Sequence, residues 1–253
     1  MARVISVSNQ KGGVGKTTTA GALAAGLKKR GRRVLAVDLD PQGNLGFGLG
    51  ADTEAAATLY DVLKGGAKLR NAVQRLPAAD VVASSILLSG IELEFTAPGR
   101  EFLLRRALQP VRDLYDYIVL DTPPALGILT INAFAASDSI VVPMMADLFS
   151  LQGIARLCET VGRVREYCNP GISVAGILIT RCNPRTLLSR EIRGTAEMVA
   201  RDLKVRVFDT FVRSGVAASE AQSVQKSVFD YAPRSNIARD YGKFIDELLA
   251  KGV

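Results

Sequence analysis

The chain has no histidine and no tryptophan, and it carries only three cysteines. Without an imidazole, no side chain has an ordinary pKa near neutrality, so histidine general-base catalysis is excluded. Cys158, Cys168 and Cys182 have neither CxxC nor Cys/His spacing, which argues against a zinc or iron–sulfur site and reads as reduced thiols. No run of 18 or more apolar residues exists, so no segment reads as a transmembrane helix. The apolar stretch within MARVISVSNQ is too short for a secretory signal and runs straight into a glycine-rich segment, so it reads as a first strand rather than a targeting peptide. Aromatics are scarce as well: with nine Phe and six Tyr in 48% hydrophobic content, the core must be built from Val, Leu, Ile and Ala, the usual filling of a parallel sheet covered by helices.

What is present has βαβ order. Short β-branched runs at 4–8, 33–38, 80–84, 117–121, 139–143 and 174–180 alternate with segments of 3.6-residue periodicity at 17–30, 102–114, 151–167 and 188–203. This predicts an α/β fold with a mainly parallel β-sheet flanked by helices on both faces, and a single domain over 1–253. The glycine-rich stretch Asp40–Gly50 reads as a mobile loop beside a ligand. Ile237, Tyr241, Phe244, Ile245, Leu248 and Leu249 outline an amphipathic C-terminal helix, either packed on the sheet or facing a membrane. The formal charge of +7, from 32 Lys and Arg against 25 Asp and Glu, is compatible with a polyanionic partner and equally with a basic solvated surface.

The stretch NQKGGVGKTTTAG from Asn9 carries the chemistry. It departs from GxxxxGK[ST], because Gln10 stands where the first glycine belongs. The physics survives, since a strand runs into a glycine turn and then a helix whose free N–H groups can face phosphate oxygens. Gly12, Gly13 and Gly15 let backbone amides approach the anion, with Val14 and Thr18 completing the loop. Lys16 is placed to reach the β and γ phosphates of ATP, and the Thr17 hydroxyl to ligate Mg²⁺. Asp38, Asp40 and Asp121 end predicted strands, where carboxylates can reach a crevice at the carboxyl edge of a sheet; Asp38 and Asp40, next to Pro41, can also be read as turn residues.

KGGVGKTT, with VDLDPQGN (37–44), YDYIVLDTPP (115–124) and DYAPRSNIARDYGKFIDEL (230–248), resembles the ParA/MinD family of P-loop ATPases with a deviant Walker A loop, over nearly the whole chain. The likeness is greatest to short ParA or Soj-like partition ATPases. It implies that Lys11 crosses to the nucleotide of a partner subunit in an ATP-dependent homodimer. It also implies that Asp40 positions or deprotonates the attacking water, and that Asp38 and Asp121 support the metal side. Arg181, Asn183, Pro233 and Arg234 fall where the family contacts adenine, and Arg185 and Arg213 where it contacts nonspecific double-stranded DNA; Arg190 and Arg193 are further cations on the same segment. The implied activity is Mg²⁺-dependent ATP hydrolysis stimulated by a ParB-like partner, in a cytoplasmic, nucleoid-associated protein without stable membrane association. A positioning ATPase for another cargo and a MinD-like membrane-cycling regulator are the alternatives, and the cysteine positions argue against a nitrogenase-reductase-like electron donor.

Overall fold

The computed structural model describes residues 1–183 and 186–252. Strands β1 (Arg3–Val7), β2 (Val34–Asp38), β3 (Val73–Arg75), β4 (Asp80–Val82), β5 (Tyr117–Asp121), β6 (Ser139–Met145) and β7 (Ser173–Thr180) form one sheet. Their spatial order is β3-β4-β2-β5-β1-β6-β7, and every neighbouring pair is parallel except β3 with β4. The helices are α1 (Lys16–Lys29), α2 (Asn44–Leu49), α3 (Leu59–Leu63), α4 (Leu69–Ala72), α5 (Ile91–Glu94), α6 (Leu103–Leu108), α7 (Ile128–Ala136), α8 (Leu148–Tyr167), α9 (Leu187–Asp202), α10 (Ala217–Ser223), α11 (Val228–Tyr231) and α12 (Asn236–Ala250).

Alternation along each strand sends successive side chains to opposite faces. Ile118 and Leu120 of β5 therefore join a core with α7 and α8, while Val119 between them joins the core under α1 and α12. Both faces are apolar because both are covered, which is why the strands read as nearly continuous Val, Ile and Leu runs.

Several elements differ from the sequence reading, α7 among the helices that the stated periodic segments do not include. Asp40–Gly50 is not a loop: α2 forms there between Gly43 and Gly50, both at positive φ, and buries Leu45 and Leu49. The helix expected over 102–114 shrinks to α6, flanked by 3₁₀ turns at Arg100–Phe102 and Gln109–Leu114, because Pro110 cannot donate a backbone hydrogen bond. The edge strand β3 is three residues long, too short to show a period.

The amphipathic face of α12 is spent inside the molecule. Ile237, Tyr241, Phe244, Ile245 and Leu248 are buried, and the Tyr241 hydroxyl lies 3.0 Å from that of Thr19 on α1. Phe244 meets Phe208 edge to face with ring centroids 5.0 Å apart, and Phe208 occupies the space a side chain at Gly176 would fill. Phe244→Ala is expected to lower the unfolding free energy by about 3–5 kcal/mol, as large-to-small changes in a packed core do. Urea denaturation followed by far-UV circular dichroism measures this, and a loss under about 1 kcal/mol would mean that α12 is not integral to the core.

Candidate functional site

The parallel sheet delivers the site to one edge. The carboxyl ends of β1, β2, β5, β6 and β7 are followed by Asn9–Gly15, Leu39–Gly43, Thr122, Ala146–Asp147 and Arg181 respectively. β1 lies between β5 and β6, so its outgoing loop is surrounded by the outgoing ends of its neighbours.

That loop is braced from both sides. Asn9 donates from Nδ2 to the Pro143 carbonyl at 2.6 Å and accepts the Lys11 N–H at 3.0 Å. Thr180 Oγ1 donates to the Val14 carbonyl at 2.7 Å, and Arg181 reaches the Gly13 carbonyl at 3.3 Å. Gly13 and Gly15 take φ of 73° and 87°, a region that favours glycine, and a Cβ on Gly12 or Gly13 would meet nothing within 4 Å. The loop is thus an open backbone cradle at the N-terminus of the 14-residue α1, whose first turn holds no acidic side chain to occupy its N–H groups.

The cradle opens into a cleft of about 480 Å³ lined by Gly12, Gly13, Gly15, Lys16, Thr17, Thr18, Asp40, Asn44, Phe47, Pro124, Gln222 and Ser223. Lys16 is only 7% exposed, and its Nζ donates to the Lys11 carbonyl at 3.0 Å. Burial lowers its pKa, opposed by the charges of Asp121 and Asp40. A phosphate at this place would give the ammonium a partner better matched to its charge than a carbonyl.

Asp38 and Asp121 stand side by side in the register of β2 and β5, and neither is exposed to solvent. Asp38 accepts the N–H of Asp40 at 3.1 Å and of Gly46 at 2.9 Å, so it fixes the turn that carries Asp40 and the start of α2. Asp121 is different: among the described residues neither carboxylate oxygen has a hydrogen-bond partner of good geometry, although the Thr17 hydroxyl lies beside it and favours its ionised form. Burial first, then the charge of the neighbouring aspartates, raises both carboxyls above the ordinary aspartate range. An orphaned buried carboxylate beside a threonine hydroxyl fits Mg²⁺, which characteristically uses one or two protein ligands and completes its shell with water and substrate phosphates.

The Lys11 side chain points elsewhere. It is not among the residues lining this cleft; its Nζ is clamped by both carboxylate oxygens of Asp147, at 2.7 and 2.8 Å, and the two side chains are about one-third exposed. Asp147, Asn9 and Thr180 escaped the sequence reading because their roles come from strands far away in the chain. Gln222 and Ser223 of α10 were missed for the same reason.

A second cleft of about 370 Å³ shares Gly13, Gly15 and Thr18 with the first and continues over Thr180, Arg181, Val212–Val216, Ala218, Ser219, Ile237 and Tyr241. Of the four expected adenine contacts, Arg181 lines it. Asn183 lies in the following turn, its carbonyl accepting from Thr186, and Pro233 and Arg234 are exposed just before α12, outside the lining. The far wall of this cleft is formed by Val212–Val216, Ala218 and Ser219. Arg213 borders this cleft and is held by the buried carboxylate of Asp240 at 2.6 and 2.8 Å. Arg193 pairs with Glu197, while Arg185 and the Arg190 side chain lie outside the described residues.

The carboxylate pair has a consequence for stability. A raised folded-state pKa means that this contribution is fully present below about pH 4 and is lost as pH rises toward neutrality. Nucleotide-free, Mg²⁺-free Asp121→Asn protein should therefore melt above the parent at pH 8, with a gap that shrinks toward pH 5, while losing Mg²⁺-nucleotide binding. Differential scanning fluorimetry across that range tests it; a gap that is constant or widens as pH falls would show that Asp121 is not an uncompensated charge.

A family model described as an AAA domain matches residues 2–174. The chain is 39% identical over 256 residues to the sporulation initiation inhibitor protein Soj of Bacillus subtilis, covering 100% of both chains. It is 39% identical to the chromosome partitioning protein ParA of Caulobacter vibrioides, covering 98% of this chain and 94% of that one. Among solved structures, cobyrinic acid a,c-diamide synthase from Mycobacterium smegmatis with bound ADP and magnesium matches with a TM-score of 0.86 at 33% identity, over 98% of this chain and 94% of that chain. The Pyrococcus furiosus cell division ATPase MinD, at 24% identity and a TM-score of 0.83, shares the fold over 100% of both chains. A phosphate loop with two lysines, strand-end aspartates around it and relatives matched end to end agree: the chain belongs to the ParA/MinD family of P-loop ATPases.

Proposed function

We propose that the protein is a Mg²⁺-dependent partition ATPase, with residues 1–253 working as one unit. ATP closes two copies face to face, the dimer holds nonspecific double-stranded DNA, and a ParB-like partner stimulates hydrolysis and release. The observation that carries this reading is the position of Lys11: it belongs to the phosphate loop, yet it points away from the loop's own cleft into a clamp with Asp147. A cation in that place serves a phosphate presented by a facing copy, in the manner of an arginine finger supplied in trans. The relatives named for chromosome partitioning support the cellular role, in a cytoplasmic, nucleoid-associated setting.

The same reading assigns the roles. Loop amides and Lys16 hold the β and γ phosphates, and Thr17, backed by Asp121, holds the metal, which supplies neutralising charge on the phosphate oxygens. Asp40, kept at the cleft wall by Asp38, orients the water or accepts its proton. No described helix is long and apolar enough to cross a membrane, and the burial of α12's apolar face favours DNA over a membrane surface as the substratum. A positioning ATPase for another cargo would use the same cycle. The name of the Mycobacterium smegmatis neighbour suggests amide synthesis instead, but identities of 37–39% to proteins named Soj or ParA favour partition.

Asp40→Ala should bind ATP with Mg²⁺ but lose at least tenfold in single-turnover hydrolysis, and should therefore accumulate as an ATP-bound dimer in light scattering. Adding Lys11→Ala should return it to monomer. Wild-type turnover in the first variant, or equal dimer content with ADP and ATP, would refute the scheme.

For DNA, the expected signature is ATP-dependent binding with little difference between two unrelated duplexes and a log affinity that falls linearly with log salt, by roughly 0.9 per phosphate contacted. Arg213→Glu would break the Asp240 pair and disturb the cleft beside it, so the surface is better mapped with Arg185→Glu, checked for unchanged nucleotide binding. A salt-insensitive affinity, or an Arg185→Glu slope equal to the parent's, counts against this surface.

A further inference from the structure

On the face of the sheet away from α1 and α12, α3, α4 and α6 leave an open groove of about 600 Å³, within the size range of ligand sites. It shares no lining residue with either cleft at the nucleotide edge. Its floor is aliphatic, with Val62, Leu63, Leu69 and Val111 buried, and Leu114 at its rim is 58% exposed.

The two chain segments that line the groove, 62–70 and 103–114, carry mostly positive charge, and their one acid, Asp113, faces the amino terminus at 3.7 Å. Residues 64–76 (KGGAKLRNAVQRL) contain four basic and no acidic residues, and 102–112 (FLLRRALQPVR) contain three and none. Some of these cations are internally engaged: Lys64 pairs with Glu94, Arg112 with Asp138, and Arg106 donates to the Gly99 carbonyl. Lys68 and Arg70 are not. Both line the groove, both are exposed, and neither side chain has an acidic or hydrogen-bonding partner among the described residues. An aliphatic trough with unpaired cations on its rim is complementary to a segment that offers apolar side chains on one face and carboxylates beside them.

We propose that this groove is a docking site for an acidic amphipathic segment of a partner protein, apart from the two clefts at the nucleotide edge. A nucleic acid has no use for the aliphatic floor. A membrane surface engages protruding apolar side chains and not a recess, so the concave shape favours a peptide inserting its own side chains. Its anchors fill the trough, and its carboxylates meet Lys68 and Arg70.

The test is to pan the full chain against a phage-displayed library of random dodecamers, then to measure the enriched peptides, synthesised with a fluorescent label, by anisotropy. The expected consensus combines two or more large apolar residues with Asp or Glu. Lys68→Glu/Arg70→Glu, and separately Leu114→Asp, should each weaken binding at least tenfold, while the affinity for a fluorescent ATP analogue stays unchanged. Both changes fall on exposed side chains, so folding is preserved. No enrichment, a consensus without acidic residues, or peptides that bind the double variant as well as the parent would each overturn the proposal. Co-sedimentation with equimolar phosphatidylserine and phosphatidylcholine vesicles that is lost in the double variant would assign the groove to a membrane surface and overturn it too.

Discussion

Parallel pairing of β1 with β5 and β6, and of β2 with β5, is the constraint from which the nucleotide end follows. Because these strands point the same way, every outgoing loop emerges at one edge, and residues more than eighty positions apart become neighbours. Asp38 and Asp121 meet in register, Thr180 reaches the carbonyl of Val14, and Asp147 reaches Lys11. The same pairing buries both carboxylates where water cannot solvate them. The fold sustains that cost through the backbone amides that engage Asp38 and through the apolar layers on both faces, while among the described residues the Asp121 oxygens have no hydrogen-bond partner of good geometry.

The layers divide the work. One core holds α1 and α12 together, so the helix that starts in the phosphate loop is anchored along its length by the C-terminal one. The other supports α7 and α8, the latter beginning beside Asp147. Lys16 and Lys11 therefore sit five residues apart in one loop yet answer to different sides of it. Lys16 is buried toward the cleft, and Lys11 is held outward by an acid from the β6–α8 connection. One short loop can in this way address its own nucleotide and present a cation to a facing one.

Much of this was legible in the residues. The glycine turn between strand and helix announces an anion cradle, since its positive φ favours glycine and a helix start offers free N–H groups in a row. The alternating strand runs gave a mainly parallel sheet, and six of seven strands were readable. The short edge β3, helix α2 and others such as α7 were not; three residues carry no period, and a glycine-rich six-residue helix looks like loop until Gly43 and Gly50 are seen to cap it. Asn9, Asp147, Thr180 and Gln222 were invisible as site residues for a different reason: each is chemically ordinary, and only position gives it a role.

By itself, then, the sequence determined the local chemistry: the phosphate loop with its two lysines, the strand-end aspartates and the apolar face of the last helix. These are properties of residue type and short-range spacing, which backbone sterics and side-chain chemistry settle within a few residues. The tertiary structure alone decided which groups meet: that Lys11 turns to Asp147, that Arg213 is tied to Asp240, that 212–219 and not Pro233 and Arg234 walls the second cleft, and that an aliphatic trough opens between α3, α4 and α6. Such meetings depend on strand order and helix packing over long separations, and no local pattern in the chain encodes them.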